Sequence, residues 1–157
     1  MLENPKDIDA RQKMSLAAYY GGNAINRQLA GYVHAFAHSI GALYHIPHGK
    51  AIAWCLVPVV EAQKEKCRSQ LWNLAVWCGI VRQEDPAEEA ADRMIGALRQ
   101  LLEKCGLEKG CVELREEDYP QLVKMIDADS INYSPPKTFS DREITSLLGR
   151  IREGEEV

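Results

Sequence analysis

The chain has 157 residues, 46% of them hydrophobic, and a formal charge of −4 at pH 7. A chain of this length buries roughly two-thirds of its unfolded surface, enough for a single domain over residues 1–157 with one core. Acidic and basic residues are interleaved without a broad basic footprint, which argues against DNA or RNA as a partner.

The opening stretch from Met1 to Asp7 lacks the basic segment and apolar core of a secretory signal. The longest apolar run, Ala51 to Val60, is half of the roughly 20 residues needed to cross a bilayer, and it contains Pro58, so no membrane role is expected. Cys55, Cys67, Cys78, Cys105 and Cys111 show no Cys-x-x-Cys spacing. An odd count without that spacing suits reduced thiols in the cytoplasm, in core or surface positions, better than a disulfide framework.

In chain order the pattern is one of consecutive helices, an all-α fold. Asp9 to Ala24 has an apolar face through Met14, Ala17, Ala18 and Ile25, with Asp7 or Asp9 suited to its N-terminal end. Gly21-Gly22 then reads either as the end of that helix or as a place where another backbone, that of the next helix, comes close. Gly31 to Gly49 holds every histidine of the chain: His34, His38, His45 and His48. His34 and His38 are four apart, so on a helix they share a face one turn apart. Pro47 stops that helix, and His48 follows at a turn from which its ring can be aimed back. Neutral imidazole is a common ligand for divalent metals and a proton carrier near neutral pH. The plainer alternative is a hydrogen-bonded pair of core histidines. No carboxylate lies between Asp9 and Glu61, so a metal site here needs ligands from outside the stretch.

Lys50 to Lys66 begins apolar and ends charged, which reads as a helix through the middle of the domain, with Trp54, Leu56, Val57 and Val60 in the core and Glu61 to Arg68 solvated. A strand over Ala51 to Val60 competes, and Pro58 weighs against it. Ser69 to Cys78 is a short helix with packing tryptophans, stopped at Gly79. Asp85-Pro86 starts another with an Asp cap, proline at the first position and acids in the first turn. This helix carries Ala90, Met94, Ile95, Leu98, Leu101 and Leu102 on one face up to Cys105-Gly106. A connection over Leu107 to Leu114 leads to a short helix from Glu117 through Ile126, and Asp127 to Lys137 reads as a loop. Ser140 and Glu143 form a capping box before Ile144, Leu147, Leu148 and Ile151, and the chain ends in an acidic tail.

The run Gly31-Tyr-Val-His34-Ala-Phe-Ala-His38-Ser-Ile-Gly41-Ala-Leu-Tyr-His-Ile-Pro47-His48-Gly49 resembles, at matching spacing, the signature of the iron-containing (group III) alcohol dehydrogenases. The likeness extends from Asp9-Ala-Arg and Ser15-Leu-Ala-Ala-Tyr-Tyr to the segment from Pro135 to Ile144, and so covers nearly the whole chain. It implies the compact multi-helix C-terminal domain of the dehydroquinate synthase-like and iron-containing alcohol dehydrogenase fold. It also implies His34 and His48 as metal ligands, and His38 beside the nicotinamide and substrate, lining the reaction site and taking part in proton movement. His45 falls at a variable position. Two departures touch the substrate pocket: Arg27-Gln28-Leu29 stands where many members have Asn-x-Gly, and Ala53 where Asn often follows the Pro-His-Gly motif.

What the resemblance implies for activity is hydride transfer between a primary or short-chain alcohol or aldehyde and NAD(P), with a divalent metal, Fe2+ or in some members Zn2+. The family's other two ligands, an Asp and a His four apart, and its Gly-rich dinucleotide loop have no counterpart here. The expectation is a C-terminal part without its nucleotide-binding half, inactive alone and served by a companion chain or assembled as a homo-oligomer. The alternative is a non-catalytic helical remnant or interaction module without metal-dependent activity.

Overall fold

The computed structural model describes residues 3–107, 110–111 and 113–154. The acidic tail at 155–157 and residues 108, 109 and 112 of the expected connection lie outside the described residues. The chain divides into two compact units, residues 1–30 and 31–157.

The first unit is helix α1, Ile8–Gln28. Asp7 caps it, its side chain accepting from the Ala10 amide at 2.9 Å, which satisfies one of the amides the first turn leaves without a partner. The reading of the glycine pair as a helix end does not hold. The helix runs unbroken through Gly21 and Gly22, and a Cβ at either would find open space. The apolar residues of α1 are exposed, among them Met14, Leu16, Tyr19, Tyr20 and Ile25.

The second unit is helical throughout its described residues: α2 (Tyr32–Tyr44), α3 (His48–Gln63), α4 (Arg68–Trp77), α5 (Ala87–Lys104), α6 (Tyr119–Ser130) and α7 (Asp141–Glu153). Single 3-10 turns at Lys64–Lys66 and Glu116–Asp118 lead into α4 and α6. Two apolar clusters organise it. In the first, Phe36 and Ile40 of α2, Cys55 and Val59 of α3, Leu122 and Ile126 of α6, and Ile144, Leu148 and Ile151 of α7 are buried together. In the second, Val57 of α3 meets Leu71 and Ala75 of α4 and Ala90, Ala91, Met94 and Ile95 of α5. Helix α3 contributes to both, so its apolar run of Ala51 to Val60 is the wall between them. Pro58 sits inside α3, buried; the proline removes one intrahelical donor without ending the helix.

Several sequence expectations are corrected. Asp85 does not cap α5: Pro86 occupies the cap position, and the Asp85 carboxylate accepts instead from the Arg82 amide at 2.8 Å in the preceding turn. Trp54 is buried and Trp72 partly so, but Trp77 is 79% exposed, and Leu101 also points outward. Glu61 is not a solvated helix end. Its two oxygens accept from Arg99 of α5 and Arg150 of α7, so one carboxylate ties three helices. Burial opposes ionisation of Glu61, but the two guanidiniums outweigh it and hold the carboxyl below its ordinary value. The capping box of α7 is formed, with the Ser140 amide donating to Glu143 at 2.9 Å and the Glu143 amide to the Ser140 hydroxyl.

Candidate metal and reaction site

Helix α2 is one-sided. Ala35, Phe36, Ala37 and Ile40 are buried to 1% exposure or less, which fixes the rotation of the helix and turns His34 and His38 to its opposite side. Tyr32 secures the start of the helix: its ring lies 4.7 Å from that of Phe139, and its hydroxyl accepts from the Phe139 amide at 3.2 Å. The helix ends at His45, a non-glycine residue in the left-handed region at φ 55°. That conformation reverses the chain so tightly that a Cβ on Gly41 would stand 3.2 Å from the Ile46 carbonyl oxygen. Pro47 then opens α3, and His48 is the first residue of that helix rather than part of a loose turn.

This turn brings three of the four imidazoles together. The ring centroids of His34 and His48 are 5.6 Å apart, those of His34 and His38 5.6 Å, and those of His38 and His48 5.3 Å, the last pair inclined by only 29°. His45 is exposed at the turn and takes no part. Burial, and then the neighbouring His38 and His48, hold His34 below the ordinary imidazole value, against a smaller opposing effect of Asp129. A lowered value keeps His34 neutral near pH 7, the form in which imidazole binds a metal.

The donor set suits part of a metal site. Two rings on one ion at about 2.1 Å per nitrogen have centroids roughly 5 Å apart, close to all three separations. Among the described residues, no group of three or more His, Cys, Asp or Glu side chains forms a metal cage. The three imidazoles therefore make no closed site of their own among the described residues, and an ion held by any two of them would need further ligands.

A carboxylate does reach the cluster, from a part of the chain expected to be loop. Helix α6 continues to Ser130, so Asp129 lies in its last turn, and its Oδ2 is 2.9 Å from His38 Nδ1. Its Oδ1 accepts from the Tyr133 hydroxyl at 3.2 Å. Asn132, Ser134 and two prolines mask this helical turn in the sequence. Asp127 and Asp129 are themselves weak helix formers, so the local sequence carries no signal of the extension.

The five cysteines are free, and burial raises Cys55 far above the ordinary thiol value and Cys111 to about 11. Both are inert core groups rather than nucleophiles. Among the described residues no helix is long and apolar enough to cross a membrane.

Residues 1–151 match the family described as "Fe-containing alcohol dehydrogenase family, C-terminal". The chain is 33% identical over 152 residues to alcohol dehydrogenase 4 of Saccharomyces cerevisiae, covering 94% of this chain and 38% of the yeast protein. It is 29% identical over 144 residues to 1,3-propanediol dehydrogenase of Citrobacter freundii, covering 90% of this chain and 37% of that protein. The solved structure of an alcohol dehydrogenase from Oenococcus oeni superposes with a TM-score of 0.86 at 27% identity, over 94% of this chain and 39% of the other. The chain thus spans less than two-fifths of the length of each of these three relatives.

Proposed function

The chain belongs to the iron-containing alcohol dehydrogenase family, as a match to its C-terminal part, and on that premise we propose that it forms the metal-binding portion of an enzyme moving hydride between a primary or short-chain alcohol or aldehyde and NAD(P). The observation that carries this reading is the meeting of His34, His38 and His48 within 5.3 to 5.6 Å, centroid to centroid, on a shared face of α2 and α3.

His34 and His48 hold the metal in this reading, one from the first turn of α2 and one from the first residue of α3. A divalent ion there, Fe2+ or its competitor Zn2+, supplies Lewis-acid polarisation of the alcohol or carbonyl oxygen. His38, at 45% side-chain exposure, is open enough to face substrate and nicotinamide and to move a proton at a ring nitrogen. The remaining ligands and the dinucleotide site come from the portion that the relatives have and this chain does not span, supplied by a companion polypeptide or a longer assembly. The five free thiols suit a reducing cytoplasm.

The test is to combine the chain with the dinucleotide-binding portion of a relative and to measure NAD(P)-coupled alcohol oxidation and bound metal. The expected result is activity with near-stoichiometric metal in the combination and little of either in the chain alone. Turnover by the isolated chain at the rate of a complete enzyme, or no gain in either quantity on combination, would overturn the reading.

A further inference from the structure

Asp129 is the only carboxylate that the described residues bring within hydrogen-bond distance of a histidine. Its two oxygens are both engaged: Oδ2 with His38 Nδ1 at 2.9 Å and Oδ1 with the Tyr133 hydroxyl at 3.2 Å. The segment that carries it is itself tied down. The Tyr133 amide donates to the Ser130 carbonyl at 3.0 Å, the Asn132 side chain donates to the Asp129 carbonyl at 3.3 Å, and the Ser130 hydroxyl donates to the Asp127 carbonyl at 2.9 Å. Burial and the neighbouring Asp129 raise Tyr133 above the ordinary phenol value, so it remains a donor.

A carboxylate can only accept, so a bond at Nδ1 requires the imidazole proton to sit there. In a neutral ring the lone pair is then on Nε2, on the side of the ring away from Asp129. Without a partner at Nδ1 the ring is free to take the other tautomer and to turn about its side-chain bonds.

We propose that Asp129, held by Tyr133, is a positioning residue that fixes His38 as the Nδ1-protonated tautomer and keeps Nε2 free to accept a proton or a hydrogen bond from a hydroxyl-bearing substrate. The catalytic meaning of this rests on the dehydrogenase reading; the tautomer itself does not. The segment Asp129–Tyr133 thereby acts through His38. It also explains why α6 carries one more helical turn than its sequence suggests, since that turn is what delivers the carboxylate to α2.

The experiment is long-range proton–nitrogen correlation spectroscopy of the histidine rings in the metal-free 157-residue chain, comparing the wild type with Asp129→Ala and Tyr133→Phe. In the wild type the His38 spectrum should show protonated Nδ1 and bare Nε2. In Asp129→Ala it should change to a mixture rich in the Nε2-protonated form, while His34 and His48 keep their patterns. Tyr133→Phe should retain the Nδ1-protonated form with a broader His38 signal. An Nε2-protonated His38 in the wild type, or an unchanged His38 tautomer in Asp129→Ala, would overturn the proposal. Should Asp129→Ala fail to fold, the wild-type pattern and Tyr133→Phe still decide it: loss of the Nδ1-protonated form in the wild type refutes it, and a Tyr133→Phe spectrum identical in every respect refutes the role of the tyrosine. Failure of the dehydrogenase reading would appear separately, as absence of metal and turnover in the combined enzyme with the tautomer intact.

Discussion

The two apolar clusters of residues 31–157 do different work. The first, built on Phe36 and Ile40 with α6 and α7, underlies the histidines: each of its buried α2 residues sets the rotation of a helix whose other side carries His34 and His38. The second, built on Leu71, Met94 and Ile95, has no histidine above it and reaches the site only by backing α3. The comparison teaches that a functional face is made precise by what is packed behind it. In this chain the two clusters should be separable, because damage to the first disturbs both stability and the imidazoles, and damage to the second disturbs stability alone.

Phe36→Ala is the strongest way to break the first cluster. Removing a fully buried ring should cost about 3–5 kcal/mol and lower the Tm by roughly 10 °C, measured by thermal unfolding. Hydrogen exchange of the α2 amides should quicken more than that of α5. Ile95→Ala is the matching change in the second cluster, at 2% exposure. It should cost about 2–5 kcal/mol yet leave the imidazole spectra of His34, His38 and His48 in the folded protein unchanged. Equal disturbance of those spectra by both substitutions would erase the distinction.

A smaller effect concerns α7, which belongs to the first cluster but is started by polar groups. Ser140→Ala removes the cap and should lower stability by about 1 kcal/mol. The bonds from Lys137 and then from the Ser140 amide and hydroxyl hold the Glu143 carboxyl down at about 2, against an ordinary 4.5. A carboxyl whose value is depressed by folding stabilises the fold above its unfolded value. That contribution is therefore complete above about pH 5 and is lost as the pH falls towards 2. Acid unfolding of the wild type and of Glu143→Gln should converge at the low end of that window and separate above it.

Much of this was legible in the sequence, and the exceptions have physical causes. The helical fold follows from the 3.6-residue spacing of α5 and α7, whose buried sides are Ala90, Ala91, Met94 and Ile95 and Ile144, Leu147, Leu148 and Ile151. The His34, His38 and His48 grouping is visible because two of the three lie on one helix and the third follows the next proline. Asp129 was hidden, since helix termini rich in Asp, Asn and Ser look like loops until packing extends them. Glu61 was hidden too, because a carboxylate at the polar end of an apolar helix gives no local sign that two arginines from distant helices will meet it. Trp77 erred in the other direction: residue type favours burial, and its position on α4 leaves it outside.

The most direct test of the account is the metal content of the assembled enzyme, measured for His34→Gln, His48→Gln and His45→Gln side by side. The account predicts that the first two lose most of the bound ion with little change in folding, and that His45→Gln, which alters only the exposed turn, keeps it. Full retention of the ion by His34→Gln or His48→Gln would contradict it.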